Sequence, residues 1–161
     1  MNESAIQKSL IVFFRIAVGW TFLYAGARQV LDPGFSVAGF LAHTKTFHDF
    51  FAVFATPDTA PYTSFLVKWG HLLIGISLLS GLLIRVSGIF AIFLLGTYYF
   101  AHMDFPYIES KINMIIDYHL VYMGVVVYLI SERAGHLWGL DAIASKLPFV
   151  ERHPALRPLV N

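Results

Sequence analysis

Long apolar stretches alternate with short polar punctuation along this chain. Leu10 to Ala27 is mostly apolar, follows Lys8 and closes on Ala25-Gly26-Ala27. That pattern fits either a secretory signal cut after Ala27 or a helix retained in a membrane. Arg15 falls near the middle of what would be the signal's uncharged core, which favours a retained helix over residues 9–29 with Asp32-Pro33-Gly34 as its stop. The second stretch, Trp69 to Met103, exceeds the ~20 residues of one span and would put Arg85 at mid-membrane. It divides into helices over 62–84 and 88–103, joined by a tight turn at Arg85 to Gly88. Asp104-Phe105-Pro106 ends this hairpin, and Ile112 to Ile130 predicts a fourth span over 112–130 before Ser131-Glu132-Arg133.

The pattern predicts an all-α integral membrane protein, a four-transmembrane-helix antiparallel bundle forming a single domain over 1–161. Between the first two spans, residues 34–61 place Phe40, Phe47, Phe50, Phe51 and Phe54 at helical spacing, with Thr44, Lys45, His48 and Asp49 largely opposite. This predicts an amphipathic helix at the outer interface acting as a lid, or an aromatic surface that packs on the bundle. The tail, 131–161, carries Trp138-Gly139-Leu140-Asp141 and then Pro148, Pro154 and Pro158, which predicts an interfacial segment followed by an extended end.

Composition moves the solvent from water to lipid. The chain is 57% apolar and only 13% charged, against about 25% charged in ordinary soluble domains. Its mean hydropathy is +0.66. A net charge of +1 leaves no basic field for nucleic acid. The absence of cysteine excludes disulfides, thiolate zinc sites, iron-sulfur clusters and dithiol redox chemistry, so a redox role has to borrow a cofactor, a quinone or a partner. Lys8, Arg85, Arg133, Lys146, Arg152 and Arg157 lie on the terminal side, against Arg28, Lys45, Lys68 and Lys111 opposite. This bias predicts a multi-pass protein of an inner or plasma membrane with both termini cytoplasmic.

Polar groups in hydrocarbon are expensive, so each is a functional candidate. On the predicted topology His71, His102, Asp117 and His119 all fall in the outer half of the bilayer, level with Tyr24 and Arg28. Trp20, Tyr24 and Arg28 form one stripe by their spacing of four, Lys68, His71 and Gly75 another, and Asn113, Asp117 and Gly124 a third. Tyr98 lies beneath His102. The stripes are expected to converge on an outward-opening polar cavity, with His119 turned away from Asp117 by the ~200° that two helical residues span. One reading is an anion or quinone headgroup site. In it Arg28, Lys68 and His71 bind a negative substrate, Tyr24, His102 and Asn113 line the site, and His71, Asp117 or His119 handles protons. The structural reading pairs Asp117 with Arg28 or Lys68 and ties the histidines to carbonyls or tyrosines. Axial ligation of a b-type haem by His71 and His119 lacks the paired spacing such sites show. A copper or zinc site from His71, His102 and His119 is weaker still, and no metal is expected. Arg15, beside Gly19 and Gly26, is expected to bond exposed carbonyls or snorkel.

The segments "FFRIAVGWTFLYAGARQVLDP", "WGHLLIGISLLSGLLIRVSG" and "KINMIIDYHLVYMGVVVYLISERAGHLWGLD" resemble the first, second and fourth helices of DoxX/DoxD-like membrane proteins. Arg15, Gly19, Gly26 and Asp32-Pro33 fit the first helix; Gly75, Gly81 and Arg85 the second; Asn113, Gly139, Leu140 and Asp141 the last. Where relatives often carry a glutamate in the second helix, this chain has His71. The resemblance implies a four-helix membrane protein and, in its best described members, one subunit of a thiosulfate:quinone oxidoreductase that needs a second, mostly extracytoplasmic subunit or fused domain. The expectation is therefore a quinone-linked oxidoreductase subunit with quinone as its cofactor and other subunits as partners. The alternatives are a non-catalytic accessory subunit of a larger membrane complex, and a solute or proton pathway. The last would need polar groups in the inner half, where only Arg15, Ser77 and Ser80 occur.

Overall fold

The computed structural model describes residues 3–160, so the expected domain and its tail extend slightly beyond them. Helix α1 runs Glu3–Leu31 and stops at Pro33, whose ring cannot continue a helix. The Asp32 carboxylate receives the Gly34 amide at 2.9 Å. The following segment is not one amphipathic helix. It breaks into α2 (Ala38–Leu41), α3 (His48–Ala52) and a 3₁₀ turn at Val53–Ala55. The interruption falls at Phe47, which adopts φ 57°. Of its aromatics, Phe51 is buried against Val37, Leu41 and Ala101, while Phe47, Phe50 and Phe54 stay exposed.

Helix α4 spans Ala60–Ser80 with Pro61 in its first turn, where a missing amide costs nothing. It ends on Gly81, at φ 69°, and α5 begins at Ile84 and runs to Ala101. The turn thus occupies 81–83 rather than 85–88, and Arg85 sits in the first turn of α5. Glycine at the left-handed C-cap is the local reason. The other reason comes from the far end of the chain: the Asp141 carboxylate accepts the Leu83 and Ile84 amides at 2.7 and 3.2 Å.

A small antiparallel sheet follows, made of β1 (Met103–Asp104), β2 (Tyr107–Ile108) and β3 (Ser110–Met114) in the order β1-β2-β3. Helix α6 begins only at Tyr118 and ends at Ser131. The fourth expected span over 112–130 is therefore shorter at its start. The β-branched Ile112 joins a strand instead, and Asp117 takes an extended conformation as the N-cap of α6. Among the described residues, three helices are long and apolar enough to cross a membrane: α1, from Ser4 onward, α4 and α5.

Glycines set the α1 to α4 contact. A Cβ on Gly26 would lie 2.6 Å from Leu72 Cα, and one on Gly75 2.5 Å from Leu23 Cα, so the two backbones nearly touch. These pairs, with Gly19 against Leu79, show that the two helices run in opposite directions. Val18, Phe22, Ile74, Leu78, Ile84, Ala91, Leu95 and Val126 form the main core. Phe13, Phe65, Phe90 and Phe93 point outward and are exposed, a surface suited to lipid rather than water.

The tail does not extend away. A 3₁₀ turn at Ala134–His136, α7 (Asp141–Ala144), α8 (Pro148–Arg152) and a 3₁₀ stretch at Pro154–Leu159 fold back. Val150 and Val160 are buried there. Arg15, 2% exposed, reaches out of α1 into this tail and donates to the carbonyls of Ala134, Leu137 and Trp138 at 2.6, 2.8 and 3.1 Å. The expectation that Arg15 bonds exposed carbonyls thus matches its geometry.

Candidate functional site

At the opposite end, four of the expected site residues meet around one tyrosine. His71 comes from α4, Tyr98 and His102 from the end of α5, and Asp117 and His119 from the start of α6. The Tyr98 ring lies 5.6 Å from His71, 5.9 Å from His102 and 6.1 Å from His119, stacked on the last two. His102 and His119 are 5.2 Å apart. Phe22, Phe40 and Tyr118 complete the wall against His71, His102 and His119 respectively. His71, Asp117 and His119 are buried.

The expected opposition of Asp117 and His119 is overturned. Because Asp117 stands outside the helix as its cap, the helical rotation does not apply to it. One carboxylate oxygen takes the His119 and Leu120 amides at 3.1 and 3.4 Å, and the other takes the His119 ring Nδ1 at 2.5 Å. Asp117 pairs with this histidine, not with Arg28 or Lys68. The approach to the cap is held by a strained residue: Ile115 has φ 62°, and its carbonyl accepts the Tyr99 hydroxyl at 2.7 Å.

The partners of the three histidines assign their tautomers. His71 Nδ1 faces the Val67 carbonyl and His102 Nδ1 the Tyr98 carbonyl, each at 2.9 Å, while His119 Nδ1 faces a carboxylate. Carbonyls and ionised carboxylates only accept, so each Nδ1 carries the proton and each neutral ring keeps a free lone pair on Nε2. Among the described residues the sealed polar atoms without a partner are Arg15 Nε and Gln29 Oε1, so none of these Nε2 atoms is shut away. Imidazole nitrogens set among aromatic faces suit a flat ligand with oxygens at its edge, accepting from it as neutral rings and donating to it as protonated ones.

The remaining expected residues lie elsewhere. Tyr24 is 58% exposed and pairs with Trp20 at 6.2 Å, and Arg28 is exposed in the last turn of α1. That stripe faces outward because Ile11, Arg15, Val18 and Phe22 form the buried face of α1. Lys68 is half-buried on α4, one turn before His71. Asn113 belongs to β3, so it shares no helical stripe with Asp117. Tyr98 was legible only as the neighbour of His102, four residues away. The clamp from Tyr99 to Ile115 had no signal in the chain's pattern. Among the described residues no three acidic or histidine side chains are arranged to hold a metal ion.

The family model DoxX matches residues 10–103. The chain belongs to the DoxX family. No curated protein and no solved structure matches it. The DoxX match covers α1 from Leu10 onward, α4 and α5, and with them Arg15, Gly19, Gly26, Gly75 and Gly81 as well as His71 and His102. Asn113, Asp117, His119 and Asp141 lie beyond it. With three helices of membrane-crossing length and apolarity among the described residues, this DoxX protein is a multi-pass membrane protein.

Proposed function

We propose that this DoxX protein is the membrane subunit of a quinone-linked oxidoreductase and that the cluster of His71, His102, Asp117 and His119 receives the quinone headgroup. The observation that carries the reading is the Asp117–His119 pair, buried beside Tyr98 and His102, with its free Nε2 not sealed off. Reduction of a quinone consumes two electrons and two protons. Where thiosulfate is the donor, two thiosulfate ions join through a sulfur–sulfur bond and release those two electrons. Without cysteine the chain offers no thiol or iron-sulfur chemistry to supply electrons, and we assign the electrons to a donor site on a partner subunit. Its own residues orient the headgroup and move protons. Nε2–H of a protonated His119 donates to a quinone oxygen, and Asp117 stabilises the imidazolium that precedes the transfer. Aromatic faces exclude water from the headgroup. Lys68, one turn from His71 and without a carboxylate partner among the described residues, supplies positive charge at the mouth. Arg28 and Tyr24, on the outward face, have no part in this site. The bias of Lys and Arg toward the terminal side supports both termini in the cytoplasm, and with four spans the cluster would then lie at the outer face.

Photolabelling with an azidoquinone in native membranes tests the assignment. The label is expected on peptides carrying Tyr98–His102 and Asp117–His119, and labelling confined to other peptides would sink it. The exposed Phe47, Phe50 and Phe54 favour a second reading, an accessory subunit that docks through this aromatic edge. Replacing the three by serine would then release the partner complex without affecting quinone labelling.

A further inference from the structure

At the end of the molecule remote from His71, His102 and His119, three arginines surround one cavity of about 440 Å³. Arg85 comes from the first turn of α5, Arg133 follows the end of α6, and Arg157 belongs to the last 3₁₀ stretch of the tail. Ile130, Pro154 and Pro158 give the same cavity an apolar wall, and Ser131 adds a hydroxyl. Arg133 is held there by a left-handed backbone, φ 49°, that turns the chain out of α6. Among the described residues none of the three arginines forms an ion pair; those present are Lys45–Asp104 and Asp117–His119. Glu132, adjacent in sequence to Arg133, pairs with none of them, and Arg157 uses one guanidinium nitrogen on the Glu151 carbonyl at 3.1 Å.

Gathering three unpaired guanidinium groups in a chain of net charge +1 leaves a local excess that a counter-anion must offset. Guanidinium forks match phosphate oxygens in a bidentate way. The cavity also lies where α5 starts and α6 ends, and in a bilayer the ends of such apolar helices meet the headgroups. From this geometry we propose that Arg85, Arg133 and Arg157 form a binding site for the phosphate of an anionic phospholipid. Its acyl chains run along α5 and α6, past Ile130, and its phosphate bridges the helices to the folded-back tail. A soluble phosphate compound shares the charge chemistry but has no use for the apolar wall. The site is independent of the quinone reading, because it lies at the other end of the helices.

The test reconstitutes the full chain in phosphatidylcholine vesicles carrying traces of spin-labelled phosphatidylglycerol or spin-labelled phosphatidylcholine. The wild-type protein should immobilise the anionic lipid in preference to the zwitterionic one. At roughly fivefold per arginine, R85Q/R133Q/R157Q should lower that preference at least about tenfold. The charge-matched control R28Q/K45Q/K111Q, at the other end, should retain it. Triple lysine replacement keeps the charge without the forks and should fall in between, and single R85Q reports the effect should the triple variant unfold. No preference in the wild-type protein, or equal preference in wild-type and R85Q/R133Q/R157Q, would overturn the site. Displacement of the labelled lipid by millimolar inorganic phosphate would overturn the lipid assignment in favour of a soluble ligand.

Discussion

At the scale of single residues, Asp117 does two things with two oxygens. Oδ1 caps α6 and Oδ2 holds His119 Nδ1. Asp117→Asn separates these duties, because Asn and Asp are nearly equal caps. If the amide oxygen keeps the cap, its nitrogen faces His119 and can only donate, which drives the ring proton from Nδ1 to Nε2. We expect nitrogen NMR of labelled histidine to show the changed tautomer and quinone reduction to fall about 10²-fold, with little change in the melting temperature. An unchanged tautomer would refute the assigned role of Asp117. The histidines themselves were legible, because titratable side chains in apolar stretches stand out at once. Their relation was not. The rotation that separated Asp117 from His119 assumed one continuous helix, whereas an aspartate before Tyr118-His119-Leu120 also reads as a helix start.

At the scale of elements, close backbone approach distinguishes the glycines. A Cβ on Gly26 would collide with the Leu72 backbone, whereas one on Gly124, inside α6, meets nothing within 4 Å. Gly26→Ala should therefore cost about 1–3 kcal/mol through overpacking. Gly124→Ala should be neutral or stabilise by up to about 1 kcal/mol through helix propensity. Thermal unfolding in detergent compares the two directly, and equal effects would refute the packing account. The junction of α4 and α5 depends on Asp141, 58 residues from the Leu83 amide it receives. Asp141→Ala leaves two amides without their acceptor and should cost about 2 kcal/mol, with faster hydrogen exchange at Leu83 and Ile84. This long-range cap is also why the turn was misplaced in sequence: Gly81 and Arg85-Val86-Ser87-Gly88 both offer turn chemistry, and a residue far away chooses between them. The aromatic segment over 34–61 failed differently. Its periodicity was real, but Phe47 in a left-handed conformation breaks the helix that periodicity implied.

At the scale of the whole molecule, span length decides what surrounds the site. Helix α6 has 14 residues, about 21 Å at ~1.5 Å per residue, against a hydrocarbon core of ~30 Å. Hydropathy made 112–130 look long enough, because Ile112, Ile115 and Ile116 are as apolar in a strand and a loop as in a helix. A β-hairpin in lipid would leave unpaired backbone groups, so β1 to β3 belong at the interface or against a partner rather than in hydrocarbon. Ile112, at 91% exposure, and Ile116, at 66%, then stand clear of the bilayer, which brings Asp117 and His119 near water. The absence of native cysteine makes this directly measurable. Single cysteines at Ile112, Met114 and Ile116 should each react with a membrane-impermeant maleimide added to the outer face. Cysteines at Val121 and Val127, exposed on α6, should be protected by lipid. A continuous helix over 112–130 predicts the opposite near its start, with protection rising inward from 112 on the lipid-facing side and Ile116 already shielded. Labelling at Ile112 and Met114 together with protection at Ile116 would move the membrane boundary outward past the Asp117 cap and place the histidine cluster inside the bilayer, with no aqueous route for the protons a quinone needs.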